Sequence, residues 1–437
     1  AILILYRTSP GCMPELAQGC IIGDCYEIDS DGPIAEGTYA HVYRAKDRKN
    51  NERLVAVKVE AAAHSHTRSF LRAEANVLRF LQRQPGVPRY KDFRERDEAA
   101  GASFLVMDLL GEDLGLALSR LRRLSSHTAA FVGLQMLRSI QAVHEKGLVH
   151  RDVKPNNFTF GRGGNCMKVY IIDFGLGRRH LDRDGVARQP RKRCEFRGTT
   201  RYASVSAHRN QDQGRVDDLW SLVFALLELC TGQLPWNFYK SQAVLGPAAK
   251  AQAKQRVLEE KTKLIAAARQ RDGKPSGFLR TVPPPIIELM RALDRLGYAD
   301  TPDYDYLASL LRGIGTEEVR AQAAKRELLT SDAAGGCGLR QAPRLPARLP
   351  IAAAGEVENA KKRRLPTEEA TTADTLDSKR ARKESTVASS SWALRASERW
   401  CQLQMDRVIP DMLTQSERLL RRAEALLVAC REELGEA

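Results

Sequence analysis

Hydrophobic and polar positions alternate in short runs near the start of the chain, and turn-forming residues separate these runs. Between residues 26 and 60 the pattern predicts three short strands, with the turn sequence NNE before the apolar run Leu54–Val59. A helical period follows over about residues 67–83, and FLVMDLL at 104–110 has the pattern of a further strand. We therefore expect a small β-rich lobe that carries one helix.

Helical periods dominate the middle of the chain. They cover about residues 114–147 and 217–232, and helix-compatible segments continue to residue 312. A β-rich part followed by an α-rich part predicts an α+β fold of two lobes. The first lobe is expected over about 26–107 and the second over about 112–313, with residues 1–25 as an N-terminal extension.

The composition changes after about residue 313. Aromatic and branched apolar residues become rare there, and Ala, Ser, Thr and charged residues replace them. Residues 314–390 contain the Pro-spaced stretch PRLPARLP and are expected to form a disordered basic linker. Residues 391–437 are expected to be helical, because apolar residues from Ile409 to Cys430 fall on one face. This stripe could form a short coiled coil or pack on the second lobe.

Composition and charge restrict the classes of function that the chain can have. No run of about 18 apolar residues occurs, and the opening AILILY lacks the charged leader and cleavage site of a secretory signal. We therefore expect no membrane partner, and a cytoplasmic or nuclear location in which the nine cysteines stay reduced. The net charge of +15 favours polyanionic partners. Aromatic residues are not interleaved with the basic clusters of the tail, so nucleic acid is not expected as the primary partner.

The strongest chemical signal is the sequence HRDVKPNNF, which starts at His150 and is followed by IIDFG. Phosphoryl transfer needs a carboxylate that orients the attacking hydroxyl, oxygen ligands for Mg²⁺ and a cation near the phosphates. Asp152 is expected to orient the hydroxyl, and Lys154 is expected to reach the γ-phosphate. Asn157 and Asp173 supply oxygen ligands for Mg²⁺. The pattern predicts an ATP-dependent protein kinase with the two-lobed kinase fold.

A second pair of residues strengthens this prediction. Lys58 in LVAVKVE occupies a strand position, and Glu74 follows sixteen residues later on the predicted helix. An ion pair between these two side chains would hold Lys58 against the α- and β-phosphates of ATP.

The loop expected to cover the phosphates departs from the usual glycine pattern. IAEGTYAHV at 34–42 keeps Gly37, but Ala35 and Ala40 stand at the other two glycine positions. Two alanines stiffen such a loop or lower ATP affinity, because glycine allows close approach and positive φ. The departure leaves a second interpretation open, a pseudokinase scaffold that binds partners without turnover. GRGGN at 161–165 is predicted to be a hairpin turn and not a phosphate site.

The segment FRGTTRYASVSAHRNQDQGRVDDLWSL at 196–222 lacks the Ala-Pro-Glu that usually closes a kinase activation segment, and has Ser204-Val205-Ser206 there. In this feature the chain resembles the casein kinase I superfamily, and GVARQPRKRCEFRGT and GRVDDLWSL are most similar to its tau-tubulin kinase branch. The resemblance covers about residues 26–313. It implies phosphorylation of Ser and Thr with ATP and Mg²⁺, with tubulin or microtubule-associated proteins as substrates.

The resemblance also implies roles for individual residues. Met107 would be the gatekeeper behind the adenine, and Asp218 would anchor the catalytic loop. The backbone of the hinge would bind the adenine through Asp108 and Leu110. The base would be covered by Ile34, Val42 and Ala56.

Basic residues crowd the predicted activation segment: Arg178, Arg179, Arg188, Arg191, Lys192, Arg193, Arg197 and Arg201. Such a cluster favours protein substrates with acidic or phosphorylated segments, and the alternative is a solvated basic face. Arg201 matches a position that the resembled family uses for anion binding, with Arg178 and Lys254 as expected partners in a substrate-anion site. In the tail, residues 361–364 and 379–383 resemble a split nuclear-import signal, which makes an import receptor a candidate partner.

Overall fold

The computed structural model describes residues 15–37, 40–60, 70–97, 100–237, 246–270 and 275–315. The predictions for the basic linker, the import signal and the C-terminal helical segment lie outside the described residues. No helix in these described ranges is long and apolar enough to cross a membrane.

One antiparallel sheet forms most of the first lobe. Its strands are β1 (Ile21–Ile22), β2 (Tyr26–Ile28), β3 (Ala35–Glu36), β4 (Ala40–Asp47), β5 (Arg53–Glu60), β6 (Tyr90–Asp97) and β7 (Ala102–Asp108). They follow the order β1-β2-β4-β5-β7-β6, and the short β3 pairs with β4 at one end. The central strand β5 is buried along most of its length, as its run of Val and Ala residues predicts.

The first lobe begins earlier than the predicted boundary at residue 26. Ile21 and Ile22 form a strand that pairs with β2, and Ile22 is fully buried in the core of the sheet. Leu16 is also buried, and its backbone N–H donates to the hydroxyl of Tyr43. Residues 15–25, predicted as part of a separate extension, therefore belong to the folded lobe because their apolar side chains complete its core.

Among the described residues of the first lobe, one helix occurs, α1 (Phe70–Phe80), and it packs one face on the sheet. Leu71, Ala75 and Leu78 are buried at the spacing of an amphipathic helix. The carboxylate of Glu60, at the end of β5, accepts hydrogen bonds from the first two backbone N–H groups of α1. This contact fixes the start of the helix on the strand that carries Lys58.

Helices form the second lobe around a hydrophobic core. The longest buried helix covers Arg215–Thr231 and is buried on every side, so it lies at the centre of the lobe. The helices are α2 (Leu114–Leu121), α3 (Ser126–Glu145), α4 (Val205–His208), α5 (Arg215–Thr231), α6 (Pro247–Arg269), α7 (Pro284–Leu293) and α8 (304–315).

The helical stretch predicted over 114–147 is divided into two helices. Arg122 has φ of 68° and ends α2, and the Ser125 hydroxyl then caps α3 by accepting from the N–H of Thr128. At its start, α2 is capped by the carboxylate of Asp113. The capping residues thus divide into two helices a stretch that the apolar period alone predicts as continuous.

Two small antiparallel pairs carry the connection between α3 and the activation segment. β8 (Leu148–Val149) pairs with β11 (Arg178–Arg179), and β9 (Phe158–Phe160) pairs with β10 (Val169–Ile171). GRGGN lies between β9 and β10, which confirms the predicted hairpin connection. These pairs place the loop after His150 and the loop at Asp173 side by side.

Candidate active site

The two lobes contribute to one ion-pair network, in which the side chain of Glu74 is buried and that of Asp173 is partly exposed. The ammonium of Lys58 on β5 lies 2.7 Å from Glu74 Oε2 on α1 and 3.1 Å from Asp173 Oδ1. The predicted pair between Lys58 and Glu74 is therefore formed, and the carboxylate of the IIDFG motif completes it. Glu74 faces inward because its position on α1 has the same phase as Leu71 and Ala75.

The protonation states in this network depend on one another. Burial alone would lower the pKa of Lys58, but the carboxylates of Glu74 and Asp173 outweigh burial and raise that pKa. Burial would raise the pKa of Asp173, and Lys58 instead lowers it to about 2. Burial raises the pKa of Glu74 despite the neighbouring ammonium. Asp173 therefore stays ionised, as a ligand for a divalent cation requires.

Asp218 anchors the catalytic loop from α5, as the family resemblance implies. Its two oxygens accept from the backbone N–H groups of His150 and Arg151, each at 2.7 Å. The same carboxylate lies 2.9 Å from Nε2 of His144, whose Nδ1 lies 2.6 Å from the hydroxyl of Tyr304. A chain of buried polar contacts thus runs from α8 to the loop that carries Asp152.

Asp152, the expected catalytic carboxylate, accepts hydrogen bonds from three side chains, those of Lys154, Thr199 and, at 3.3 Å, Asn157. Its Oδ2 accepts from the ammonium of Lys154 at 2.7 Å, and its Oδ1 accepts from the hydroxyl of Thr199 at 2.7 Å. Lys154 also donates to the Thr199 hydroxyl at 3.2 Å. Thr199 was missed by the sequence reasoning, although GTTRY shows a hydroxyl two residues before Arg201. This triangle joins the catalytic loop to the end of the activation segment.

The two expected magnesium ligands have oxygen atoms suited to the metal. Asn157 donates through Nδ2 to the carbonyl of Asp152 at 2.8 Å, which commits its amide nitrogen and turns its amide oxygen elsewhere. Asp173 adopts a left-handed conformation with φ of 65°, an uncommon state that is often found at functional sites. An ionised carboxylate and an amide oxygen fit Mg²⁺, which binds few protein ligands and completes its shell with water and phosphate oxygens. Asn157 and Asp173 would therefore hold Mg²⁺ and Lys58 would contact the phosphates of ATP.

Gly198 brings the activation segment against the catalytic loop. Its φ is 103°, and a Cβ atom at this position would lie 2.6 Å from the carbonyl oxygen of Arg151. Only glycine fits such a contact without displacing the backbone. The hydroxyl of Thr199 can reach Asp152 because Gly198 lies so close to the backbone of Arg151.

The residues predicted to surround the adenine lie on adjacent strands. Val42 on β4 faces Lys58 on β5 in the ladder, and Ala56 on β5 faces Met107 on β7. Ile34 donates its N–H to the carbonyl of Val42 at 2.7 Å and has a half-exposed side chain. The sheet thereby places the residues predicted to cover the adenine close to Met107, the predicted gatekeeper.

The hinge follows directly from β7. Asp108 ends this strand, and its backbone N–H donates to the carbonyl of Arg89. The Asp108 carboxylate in turn accepts from the N–H of Arg89. Leu110 lies in the connection between β7 and α2, where a backbone hinge contact is expected.

The altered glycine loop still forms a strand pair. Ala35 faces Val42, and Gly37 donates its N–H to the carbonyl of Ala40 at 2.9 Å. Residues 38 and 39 lie outside the described residues. The alanine at position 40 thus begins β4 in regular strand geometry, which needs no glycine.

The predicted substrate-anion site requires correction. Arg201 is buried and donates to Glu228 on α5 at 2.5 and 3.2 Å, so its charge is neutralised inside the lobe. Arg178 donates to both oxygens of Asp212 at 2.6 and 2.7 Å. Lys254 lies over the ring of Phe196, with 3.7 Å between Nζ and the ring centroid. Each of the three cations has a different partner within the chain, so the structure does not present them as one open anion site.

Comparisons with known proteins agree with this geometry. Residues 28–291 match the family model described as the protein kinase domain, and the chain belongs to this family. A protein of Dictyostelium discoideum named as a probable serine/threonine-protein kinase is 36% identical over 285 residues. That match covers 64% of this chain and 51% of the relative, so the chain spans about half the length of the curated protein it matches.

Proposed function

We infer that this chain is an active serine/threonine protein kinase that transfers the γ-phosphate of ATP to hydroxyl groups of protein substrates. The observation that carries this proposal is the simultaneous presence of two assembled groups of side chains. Lys58 contacts Glu74 and Asp173, while Asp152 contacts Lys154 and Thr199. The first group suits phosphate and metal binding, and the second suits activation of a hydroxyl.

Asp152 has the position and charge needed to receive the substrate hydroxyl. The hydroxyl oxygen would form a bond to the γ-phosphorus as the bond to the β,γ-bridging oxygen breaks, and Asp152 would accept the hydroxyl proton. Lys154 would stabilise the negative charge that develops on the transferred group. When bound, Mg²⁺ supplies neutralisation of the phosphate charge, held through Asn157 and Asp173.

The competing proposal is a pseudokinase scaffold, and only the altered glycine loop favours it. Ala35 and Ala40 occupy regular positions in β3 and β4, so their side chains cause no visible break in the sheet. A scaffold also has no physical need for the contacts that orient Asp152. These observations favour turnover over passive binding.

Phosphate transfer from Mg-ATP to casein, compared between the intact protein and Asp152→Asn, tests the proposal. The substitution should lower transfer by about 100-fold or more, because the carboxylate that accepts the proton is lost. Asp184→Asn, in an exposed turn, provides a matched control that should retain activity. Absence of both transfer and thermal stabilisation by Mg-ATP in the intact protein would instead support the scaffold.

Membership of the casein kinase I superfamily, near its tau-tubulin kinase branch, is part of the same proposal. Ser204, in the segment that replaces Ala-Pro-Glu, caps α4 and donates to Asp217 at 2.6 Å. Burial raises the pKa of Asp217 to about 6, and the hydrogen bonds from Ser204 and from the backbone of Gly214 partly oppose this rise. The departure from Ala-Pro-Glu is thus structurally satisfied, as expected for a branch that uses this alternative.

A preference for acidic or phosphorylated substrates is also proposed, now resting on the exposed cations Arg188, Lys192 and Arg193. Their positions in the activation segment favour contacts with negatively charged peptides. Simultaneous reversal to Glu at these three positions should raise KM for an acidic peptide at least tenfold while KM for ATP stays within twofold. Equal effects on acidic and neutral peptides would contradict the preference. Tubulin and microtubule-associated proteins are the candidate substrates, and the cytoplasm or nucleus is the proposed location.

A further inference from the structure

Asp212, in the loop before α5, is the centre of an arginine cluster outside the phosphate-binding residues described above. Its side chain is completely buried. Arg178 donates to both carboxylate oxygens at 2.6 and 2.7 Å. Arg191 donates to the same oxygens from Nη2 at 2.9 Å and from Nε at 3.2 Å. One carboxylate therefore serves two guanidinium groups, and the doubly anchored geometry fixes both of them.

Backbone groups complete the shell around this carboxylate. The N–H groups of Arg191 and Gln213 donate to Asp212 at 3.1 and 3.2 Å. The side chain of Gln213 donates to the carbonyl of Arg197, which directly precedes Gly198. The loop at 212–213 thus holds the activation segment at two points, one in its middle and one beside the residues that contact Asp152.

The electrostatics of the cluster make Asp212 essential to its neutrality. Burial alone would raise the pKa of Asp212, but Arg191 and Arg178 outweigh burial and lower that pKa strongly. Arg151, next to Asp152 in the catalytic loop, has its pKa lowered to about 10 by burial and by repulsion from Arg178 and Arg191. Without the carboxylate, three cations would remain close together in a partly buried region.

The sequence of the activation segment indicates what this arginine cluster does. Residues 174–198 contain no Ser, Thr or Tyr, so this stretch offers no hydroxyl for phosphorylation. The first hydroxyls are those of Thr199 and Thr200, and Thr199 is already bound to Asp152. Arginine clusters of this kind commonly order a segment by binding a phosphate added to it. Here a carboxylate supplied by the fold occupies the place of that anion.

We propose that Asp212 is a positioning residue that acts as a permanent internal anion, holding the activation segment in its working arrangement without phosphorylation. The proposal rests on the kinase function proposed above, because it explains how that site stays assembled. Asp212 acts through Arg178 and Arg191, and through Gln213 it supports the approach of Gly198 and Thr199 to Asp152.

Hydrogen exchange and kinetics of Asp212→Asn, measured on the full chain, test this proposal. Amide exchange over residues 187–198 should accelerate at least tenfold, and kcat for a peptide substrate should fall at least tenfold. KM for ATP should change less than twofold, because Lys58 and Asp173 are untouched. Asp212→Glu should recover part of both losses, since it restores the charge. Phosphatase treatment of the intact protein should leave its kcat unchanged.

A second variant and a control keep the test decisive. Arg191→Gln leaves the buried carboxylate in place, and it should accelerate the same exchange even if Asp212→Asn does not fold. Arg183→Ala, in the exposed turn of the same segment, should alter neither exchange nor kcat. Unchanged exchange in both Asp212→Asn and Arg191→Gln overturns the proposal, as does a large loss of kcat on phosphatase treatment. If the intact protein shows no transfer, the proposed function fails, and the exchange measurements still decide the role of Asp212.

Discussion

Lys58 and Glu74 form a buried ion pair between the central strand of the sheet and the only helix described in the first lobe, with 2.7 Å between Nζ and Oε2. The Glu74 side chain is 6% exposed and the Lys58 side chain is 17% exposed, so solvent screens the pair weakly. Glu60 fixes the start of α1 on the same strand. The position of the helix therefore determines whether Lys58 can face the phosphates.

Glu74→Gln should lower kcat/KM for ATP by about 10- to 100-fold, or about 1.4–2.8 kcal/mol, because an uncharged amide holds the buried ammonium less firmly. The ammonium would then lean towards Asp173, which it already contacts. Kinetics at varied ATP concentration give the measurement. Glu145→Gln, at the exposed end of α3, is the matched control and should behave as the unchanged protein. Equal kinetics for the two variants would show that the ion pair has no catalytic role.

Short-range sequence patterns were sufficient to predict the central chemistry. Lys58 and Glu74 lie sixteen residues apart, and the strand and helix that carry them have clear apolar periods. The motif from His150 to Asn157 forms one loop, so its residues lie close together in space whatever fold surrounds the loop. The family match confirms the predicted two-lobed kinase fold.

Contacts between distant segments could not be predicted in the same way. Thr199 reaches Asp152 across 47 residues, and Asp212 reaches Arg178 across 34 residues. The basic residues of the activation segment were visible in the sequence, but the carboxylates that neutralise Arg178, Arg191 and Arg201 come from the loop before α5 and from α5 itself. The number of basic residues in the sequence therefore overestimates the number of cations that a substrate can contact. Arg201 is the clearest case, because it is paired with Glu228.

Gly198→Ala should lower kcat at least tenfold, because the new Cβ would lie against the carbonyl of Arg151 and push Thr199 away from Asp152. Gly185→Ala is a sharp control, since Gly185 also has positive φ but has open space around it. Both variants should lose about 1 kcal/mol or more of unfolding free energy from backbone strain. Only the variant at position 198 should lose turnover of the folded protein. A similar loss of turnover in both variants would attribute the effect to strain alone.

Thr199→Val should lower kcat by about tenfold, which corresponds to about 1.4 kcal/mol for a hydrogen bond to a charged group. The valine keeps the shape of the side chain but cannot donate to Asp152 or accept from Lys154. Thr199→Ser retains the hydroxyl and should stay within about threefold of the unchanged protein. Steady-state kinetics with a saturating peptide measure the difference. Equal kcat values for the Val and Ser variants would exclude a role for the hydroxyl.

His208→Gln should make the stability of the protein less sensitive to acid. Nε2 of His208 lies 3.1 Å from the carbonyl of Thr200 and 3.2 Å from Nζ of Lys261, whose own pKa burial lowers well below its ordinary value. Burial, and next the charge of Lys261, lower the pKa of His208 to about 3. An unfolded histidine titrates near about 6.5, so between these values the unfolded chain binds a proton that the folded chain does not.

The sign of the effect follows from this difference in bound protons. As the pH falls below about 6.5, protonation favours the unfolded chain, and at pH 5 His208 should account for a loss of about 2 kcal/mol of unfolding free energy. Denaturant unfolding at pH 7 and pH 5 should therefore show a smaller loss in His208→Gln than in the unchanged protein. His127→Gln, near the start of α3, should retain the full loss. An identical loss in all three proteins would mean that His208 becomes protonated without unfolding, which its contact with Lys261 opposes.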